Sequence, residues 1–281
     1  MCEKIMSEKM IEKFRDYLFQ EEKSGATVNK YERDVRHFFD YLPRKKKVDK
    51  ETVIRYKAEL TDNYAFSSAN SMISSLNCFF SFMGWDEIRV KPFRIQKKHY
   101  CSAEKELTLD EYYLLLETAR RRGKQRLYLL LQTICATGIR VSELSAITAE
   151  AVRRGKAEIS CKAKQRVIFL PSRLRALLED YAREQGIDSG PVFCTRNGNP
   201  LDRCNIWNEM KALAACAGVE ACKVYPHNLR HLFARQYYSV DKDIVRLADL
   251  LGHSSINTTR IYTMESGDEH KKRIENLGLV L

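Results

Sequence analysis

Between Tyr225 and Tyr262 the 281-residue chain reads Pro226-His227-Asn228-Leu229-Arg230-His231, then Leu251-Gly252-His253, then Tyr262. That order sets two imidazoles, a guanidinium and a phenol at the ends of short helical segments. Upstream, Thr137-Gly138-Ile139-Arg140-Val141-Ser142-Glu143-Leu144 adds a second guanidinium just after a helix break. Two arginines suit a phosphate, because each planar fork donates two parallel bonds to two oxygens. A phenol nearby is a candidate nucleophile. Together these groups imply attack by a tyrosine on a phosphodiester.

Such an attack adds negative charge to the two non-bridging oxygens. Fixed donors must meet that charge, and protons must be managed at the entering and leaving oxygens. Arg140 and Arg230 would supply the donors, with five N–H groups each. Glu143, three residues beyond Arg140, can reach back to hold that guanidinium. His227 and Arg230 stand at i and i+3 and so share a helix face. Pro226 marks the helix start, where backbone N–H groups also favour an anion. His227 is placed to take the phenol's proton. His253 follows Gly252 at a helix end and should face the same phosphate. His231 neighbours Arg230 on another face and stays outside the set. The plainer readings are a surface arginine at 140, an exposed glutamate at 143 and a capping histidine at 227. Among the tyrosines, Tyr237 and Tyr238 read as mid-helix packing residues and Tyr225 as a local stacker, which leaves Tyr262. A free phenol has a pKa near 10, so only about one in a thousand is ionised at neutral pH. The cationic surroundings or a neighbouring base must favour the phenolate.

The elements that carry these groups are mostly helical. In the first hundred residues, apolar side chains recur at helical spacing: Met10, Phe14 and Leu18; then Val28, Tyr31, Val35, Phe38, Phe39 and Leu42; then Val53, Tyr56 and Leu60 behind a capping Asp49; then Met72, Ile73, Leu76, Phe79, Phe80 and Met83. Four short amphipathic helices of this kind form a small bundle over 1–90. Arg44, Lys45, Lys46 and Lys47 fill the loop between the second and third helices, where they could meet backbone phosphates. Over 91–106 the helical period disappears. Lys91, Arg94, Lys97 and Lys98 alternate with apolar residues there, which reads as a basic linker able to strap across a nucleic-acid backbone.

A second domain over 107–281 opens on the capping box Thr108-Leu109-Asp110-Glu111. Leu127–Thr137 is apolar nearly all round, as the central helix of a core should be. Ala157–Ser160 and Val167–Leu170 flank a basic turn and read as a β-hairpin, with Lys164 and Arg166 as further phosphate candidates. Helices are expected at about 172–185, 202–217, 227–239, 241–251, 255–264 and Glu269–Leu277. The fold class is therefore mainly α with one small β-hairpin.

Bulk composition agrees with an anionic partner. The net charge is +11, and the excess is shared: residues 1–100 carry 20 basic and 15 acidic side chains, residues 101–281 carry 28 and 22. Nine cysteines occur without a Cys-x-x-Cys pair, which argues against a zinc site and for a reducing cytoplasm. The longest apolar run, Leu127–Ala136, is too short to span a bilayer.

Ala136-Thr137-Gly138-Ile139-Arg140-Val141-Ser142-Glu143-Leu144, His227-x-x-Arg230, Leu251-Gly252-His253 and Tyr262 together resemble the signature of the tyrosine recombinases, the phage-integrase and Xer family. The nine-residue step from His253 to Tyr262 matches as well. The resemblance covers about 107 to 265 and, more loosely, the helical N-terminal part. It implies a SAM-like core-binding domain followed by a catalytic domain, the two clamping double-stranded DNA from opposite faces. It implies strand cleavage and joining through a 3′-phosphotyrosine link at Tyr262, with no metal or nucleotide cofactor. It implies a tetramer on two DNA sites, coupled through the C-terminal tail with its apolar Ile274, Leu277, Leu279 and Val280. A cytoplasmic, nucleoid-associated enzyme of bacterial or phage origin fits this picture. The family's general-acid lysine corresponds to Lys162, with Lys164 as the other choice. The turn Cys161-Lys162-Ala163-Lys164 is one residue shorter than the family's usual Gly-Lys-Gly-x-Lys.

Other readings share part of this chemistry. A type IB topoisomerase or a telomere resolvase would use Arg140, Arg230 and Tyr262, though the compact size and four-helix bundle argue against both. A non-catalytic DNA-binding relative would keep the fold without the reaction. A histidine-pair nuclease would use His227 and His253 and no tyrosine.

Overall fold

The structure is a computed structural model and describes residues 3–95, 105–161, 164–195, 197–253, 255–263 and 275–276. The chain divides into two compact units, Met1–Lys97 and Lys98–Leu281. Each unit has a hydrophobic core of its own. The fold is mostly helical with a β-hairpin, as the sequence patterns predict, and has a second small antiparallel sheet that they did not indicate. Among the described residues no helix is long and apolar enough to cross a membrane.

The first unit holds α1 (Glu8–Gln20), α2 (Gly25–Tyr41), α3 (Lys50–Asn63) and α4 (Phe66–Phe82). Their apolar stripes converge on Phe14, Phe38, Tyr56, Phe79 and Phe80, all essentially buried. Asp49 starts α3 by accepting the Thr52 N–H at 2.8 Å. Two two-residue strands, β1 (Lys4–Ile5) and β2 (Lys47–Val48), pair beside the bundle.

After α4 the chain turns back along that helix in an extended course. The Asn77 amide both donates to the Val90 carbonyl (2.8 Å) and accepts the Val90 N–H (3.0 Å). Asn70 treats Phe93 in the same way, at 2.9 and 2.7 Å. Seven residues of helix rise about 10 Å. Three residues of extended chain cover about the same length. The two spacings therefore match, and each asparagine acts as one rung of a ladder. Lys57 adds a bond to the Lys91 carbonyl at 2.7 Å and lies over the Phe93 ring. Residues 91–93, the start of the segment expected to be a linker, fall within the first unit, with Phe93 packed against its core.

The second unit is built on α6 (Gln125–Thr137), whose Leu127, Leu129, Leu130, Leu131 and Ile134 are buried. Around it lie α5 (Leu109–Arg121), α7 (Ala149–Arg154), α8 (Ser172–Glu184), α9 (Arg203–Ala217) and α10 (Pro226–Asp241). The expected capping box is present: Thr108 and Glu111 bond each other's backbone N–H. Strands β3 (Lys156–Cys161) and β4 (Lys164–Phe169) pair from Lys156↔Phe169 to Cys161↔Lys164. Ala157, Ile159, Ile168 and Leu170 face the core, while Val167 and Phe169 face outward. The chain then runs through α11 (Ile244–Leu251), α12 (Ile256–Thr259) and a 3-10 turn, Arg260–Thr263. The helix expected at Glu269–Leu277 and the apolar tail lie outside the described residues, apart from 275–276.

Candidate active site

Arg140 owes its place to a forced break. Gly138 ends α6 with φ of +63°, and a Cβ there would meet the Phe233 ring at 2.5 Å. Only glycine satisfies both the left-handed backbone and that close approach. The chain leaves extended, and Arg140 becomes the cap residue before the short 3-10 helix Val141–Ala146. Glu143 closes back on it, accepting the Arg140 N–H at 2.9 Å and its Nη1 at 2.9 Å. The Arg140 side chain keeps 39% exposure, whereas that of Glu143 keeps 8%.

Helix α10 carries His227, Arg230 and His231 on neighbouring turns, with Pro226 at its first position. Among the described residues Arg230 is the largest fully buried side chain, at 2% exposure. A guanidinium in such a place needs all its bonds met. It donates to the Gly138 carbonyl, to the Leu251 carbonyl at 2.6 Å, and to His253 Nε2 at 3.0 Å.

The C-terminus of α11 gathers the cations. Arg166, on β4, donates to the Leu250 carbonyl at 2.8 Å. Arg230 takes the next carbonyl, Leu251, and Arg140 takes the one after, Gly252, at 3.2 Å. Three successive carbonyls thus bind three arginines, where a helix end has unpaired acceptors and partial negative charge. Gly252 follows with φ of +64° and turns the chain so that His253 enters the site. A Cβ there would meet Arg166 Cδ at 2.7 Å.

Tyr262 sits on the 3-10 turn with 5% exposure, packed against Ala234, Leu247 and Leu251. Its ring stacks on His253 with centroids 5.7 Å apart. His231 meets it edge-on at 4.5 Å, and His227 lies at 6.4 Å. His227 and His231 also touch each other, at 4.5 Å. The phenol therefore stands among three imidazoles.

Electrostatics follow from burial beside like charges. Burial, joined by the charge of Arg140, lowers the Arg230 guanidinium to about 10, with the Tyr262 hydroxyl acting in the opposite direction. Arg230 still carries its charge at neutral pH. Burial and the charges of Arg230, Arg140 and Arg166 push His253 down to about 4. Burial, His227 and Arg230 bring His231 to about 4 as well. His227 is lowered by burial and by the charges of Arg230, Arg140 and Arg203. All three rings are thus neutral near pH 7. Burial works to raise the Glu143 carboxyl, yet the Arg140 N–H and the Arg166 and Arg140 guanidinium groups hold it below the usual carboxylate value.

Arg140, Glu143, His227, Arg230, His253 and Tyr262 therefore lie in one place. Lys162 falls outside the described residues. Lys164 pairs with Cys161 at the last rung before the tip. Arg166, expected among the outward phosphate-binding residues of the hairpin, is turned inward with its side chain 13% exposed and bonded to Glu143 at 2.5 Å. His231, set aside on sequence grounds, is at the site. The signal for it was its spacing of four from His227, which puts both rings on one helix face. In the first unit Arg44 and Lys45 are exposed. Lys46, also expected to meet phosphate, instead closes the end of α2 through the Phe39 and Leu42 carbonyls at 2.6 and 3.1 Å. Lys47 pairs with Glu3 at 2.8 Å. Lys91 and Arg94 are exposed, and Lys97 and Lys98 lie outside the described residues.

Comparison with known proteins places this arrangement. A model of the phage integrase family matches residues 105–269, and one of the phage integrase N-terminal SAM-like domain matches residues 11–87. Tyrosine recombinase XerA of Pyrococcus furiosus is 30% identical over 293 residues, covering 100% of this chain and 98% of the relative. In fold, the chain is similar to the XerH site-specific recombinase bound to a difH substrate, with a TM-score of 0.70 and 21% identity over 91% of this chain and 80% of that one. It is likewise similar to a lambda integrase tetramer bound to a Holliday junction, with a TM-score of 0.72 and 17% identity over 90% of this chain and 76% of that one. With its SAM-like bundle, its arginine-lined site and a full-length relative at that identity, the chain belongs to the phage integrase family, the tyrosine recombinases.

Proposed function

We propose that this protein is a site-specific DNA recombinase that cuts and rejoins strands through a 3′-phosphotyrosine intermediate. The observation that carries the reading is the phenol of Tyr262 held among three imidazoles beside two arginines. Arg140, the more exposed of the two, meets the incoming phosphate first, and Arg230 meets it from the buried side. Together they hold the two non-bridging oxygens and the charge that grows on them. Neutral His227 is able to accept the phenol's proton as the Tyr262 oxygen attacks phosphorus. His253 orients the Arg230 fork that binds the phosphate, through the contact of its Nε2 at 3.0 Å. The 5′-oxygen leaves with a proton from Lys162. The bond broken is conserved as the phosphotyrosine ester, so neither ATP nor a metal ion enters.

In this reading the first unit is the core-binding domain and the second the catalytic domain. Exposed Arg44, Lys45, Lys91 and Arg94 contact backbone phosphates. Lys97 and Lys98 continue the strap. Four copies assemble on two duplex sites, joined through the C-terminal tail.

The test uses a duplex recovered by repeated selection from a randomised pool on the Tyr262→Phe protein. The same duplex, nicked so that the cleaved end diffuses away, is incubated with the unaltered chain. A covalent complex that survives SDS is expected, and Tyr262→Phe should bind equally well yet form none. Cleavage by the phenylalanine variant would overturn the nucleophile assignment. Absence of an adduct with both proteins would favour a DNA-binding protein without the reaction.

A further inference from the structure

Arg166 stands four residues beyond the hairpin lysine, yet it does not face outward. One Nη meets Glu143 at 2.5 Å and the other meets the Leu250 carbonyl at 2.8 Å. Its Nε is buried and has no hydrogen-bond partner among the described residues. The aliphatic part lies where any Cβ on residue 252 would be, 2.7 Å from Cδ. Both Nη groups and the aliphatic part are therefore committed to the protein. The Glu143 carboxylate that it grips is the one that holds Arg140, so a single acid serves two cations, one oxygen each. A buried carboxylate between two guanidinium groups is strongly oriented, since charge-assisted bonds fix both its oxygens.

From this geometry we infer that Arg166 is a positioning residue that ties the hairpin to the phosphate-binding arginines, and not a phosphate contact. It does so at three points. Through Glu143 it sets the direction of the Arg140 fork. Through Leu250 it holds the α11 terminus, from which Gly252 and His253 follow. Through β4, which pairs with β3, it ties that strand pair to both. The inference rests on the recombinase reading for its catalytic consequence, but the placement of Arg166 stands apart from it.

Arg166→Ala and Arg166→Lys, made in the full chain, separate the two roles. The probe is the nicked duplex selected above. At saturating duplex, Arg166→Ala should form the covalent complex about a hundredfold or more slowly, as when a donor at a reacting oxygen is displaced. Arg166→Lys should also be slow, because an ammonium cannot span Glu143 and Leu250 in the manner of the fork. Duplex affinity and its dependence on salt should stay as in the unaltered chain. A lost phosphate contact would instead flatten the slope of log affinity against log salt by about 0.9. That flattening, with the saturated rate intact, would overturn the proposal. Arg166→Ala combined with Glu143→Gln should be no slower than the slower single variant, since both act through one carboxylate; multiplying effects would also overturn it. Should Arg166→Ala not fold, Arg166→Lys reads the same comparison. If the unaltered chain forms no adduct, the recombinase reading fails. The salt slope and the coupling of Arg166 to Glu143 in thermal melts then still decide the placement.

Discussion

Nε2 of His253 lies 3.0 Å from Nη2 of Arg230. A guanidinium only donates, so this ring nitrogen accepts and carries no proton. Nδ1 then holds the proton and donates to Thr259 Oγ1 at 2.8 Å, a buried hydroxyl. The network thus assigns His253 as the neutral Nδ1–H tautomer. Nitrogen-15 NMR at pH 7 should show a neutral ring with its proton on Nδ1. A cationic ring at pH 6 would contradict the contact with Arg230.

Neutral burial of the histidines makes stability depend on acid. His231 and His253 have folded values of about 4 against 6.5 when free. Their folded values are depressed, so the unfolded chain binds more protons between about 4 and 6.5. Stability should be level above pH 6.5 and fall as pH drops below it, with uptake of about two protons on unfolding near pH 5 from these two rings. His231→Phe should reduce that uptake by about one, measured as the slope of unfolding free energy against pH. An unchanged slope would mean that His231 is not buried neutral.

Tyr262 separates chemistry from packing. Tyr262→Phe keeps a ring at 5% exposure among Ala234, Leu247 and Leu251, so stability should change little. Tyr262→Ala removes the ring and should cost about 3–5 kcal/mol in urea unfolding. Equal losses for the two variants would place the stabilising interaction on the hydroxyl.

Arg140→Lys should bind the duplex and react poorly. An ammonium can supply the charge but cannot hold Glu143, the Gly252 carbonyl and a phosphate oxygen together. Full activity in the lysine variant would show that only charge matters at this position.

Hydrogen exchange tests the asparagine rungs of the first unit. Asn77→Ala should speed exchange of the Val90 amide by about fivefold, and Asn70→Ala that of Phe93, a loss of about 1 kcal/mol each. Rates equal to those of the unaltered chain would show that the amides are protected by burial instead.

What the sequence made legible was local. The four helices of the first unit follow from apolar spacing, and the Asp49 cap and the Thr108–Glu111 box are read within a few residues. Arg140, Arg230, His253 and Tyr262 converge because glycines at 138 and 252 stop two helices where they do. What stayed hidden were contacts between distant segments. The inward turn of Arg166 depends on Glu143 and Leu250, 23 and 84 residues away in sequence. Lys46 looks like a phosphate ligand until the end of α2 is placed beneath it. The strands β1 and β2 hold two residues each, too few for any alternation to register. His231 was legible in principle, since spacing by four from His227 decides its face.

Asn70 and Asn77 also decide where the first bundle ends. With residues 90–93 moored to α4, its packed part extends eleven residues past Phe82, the last residue of that helix. A fragment cut at the end of α4 would therefore lose both rungs.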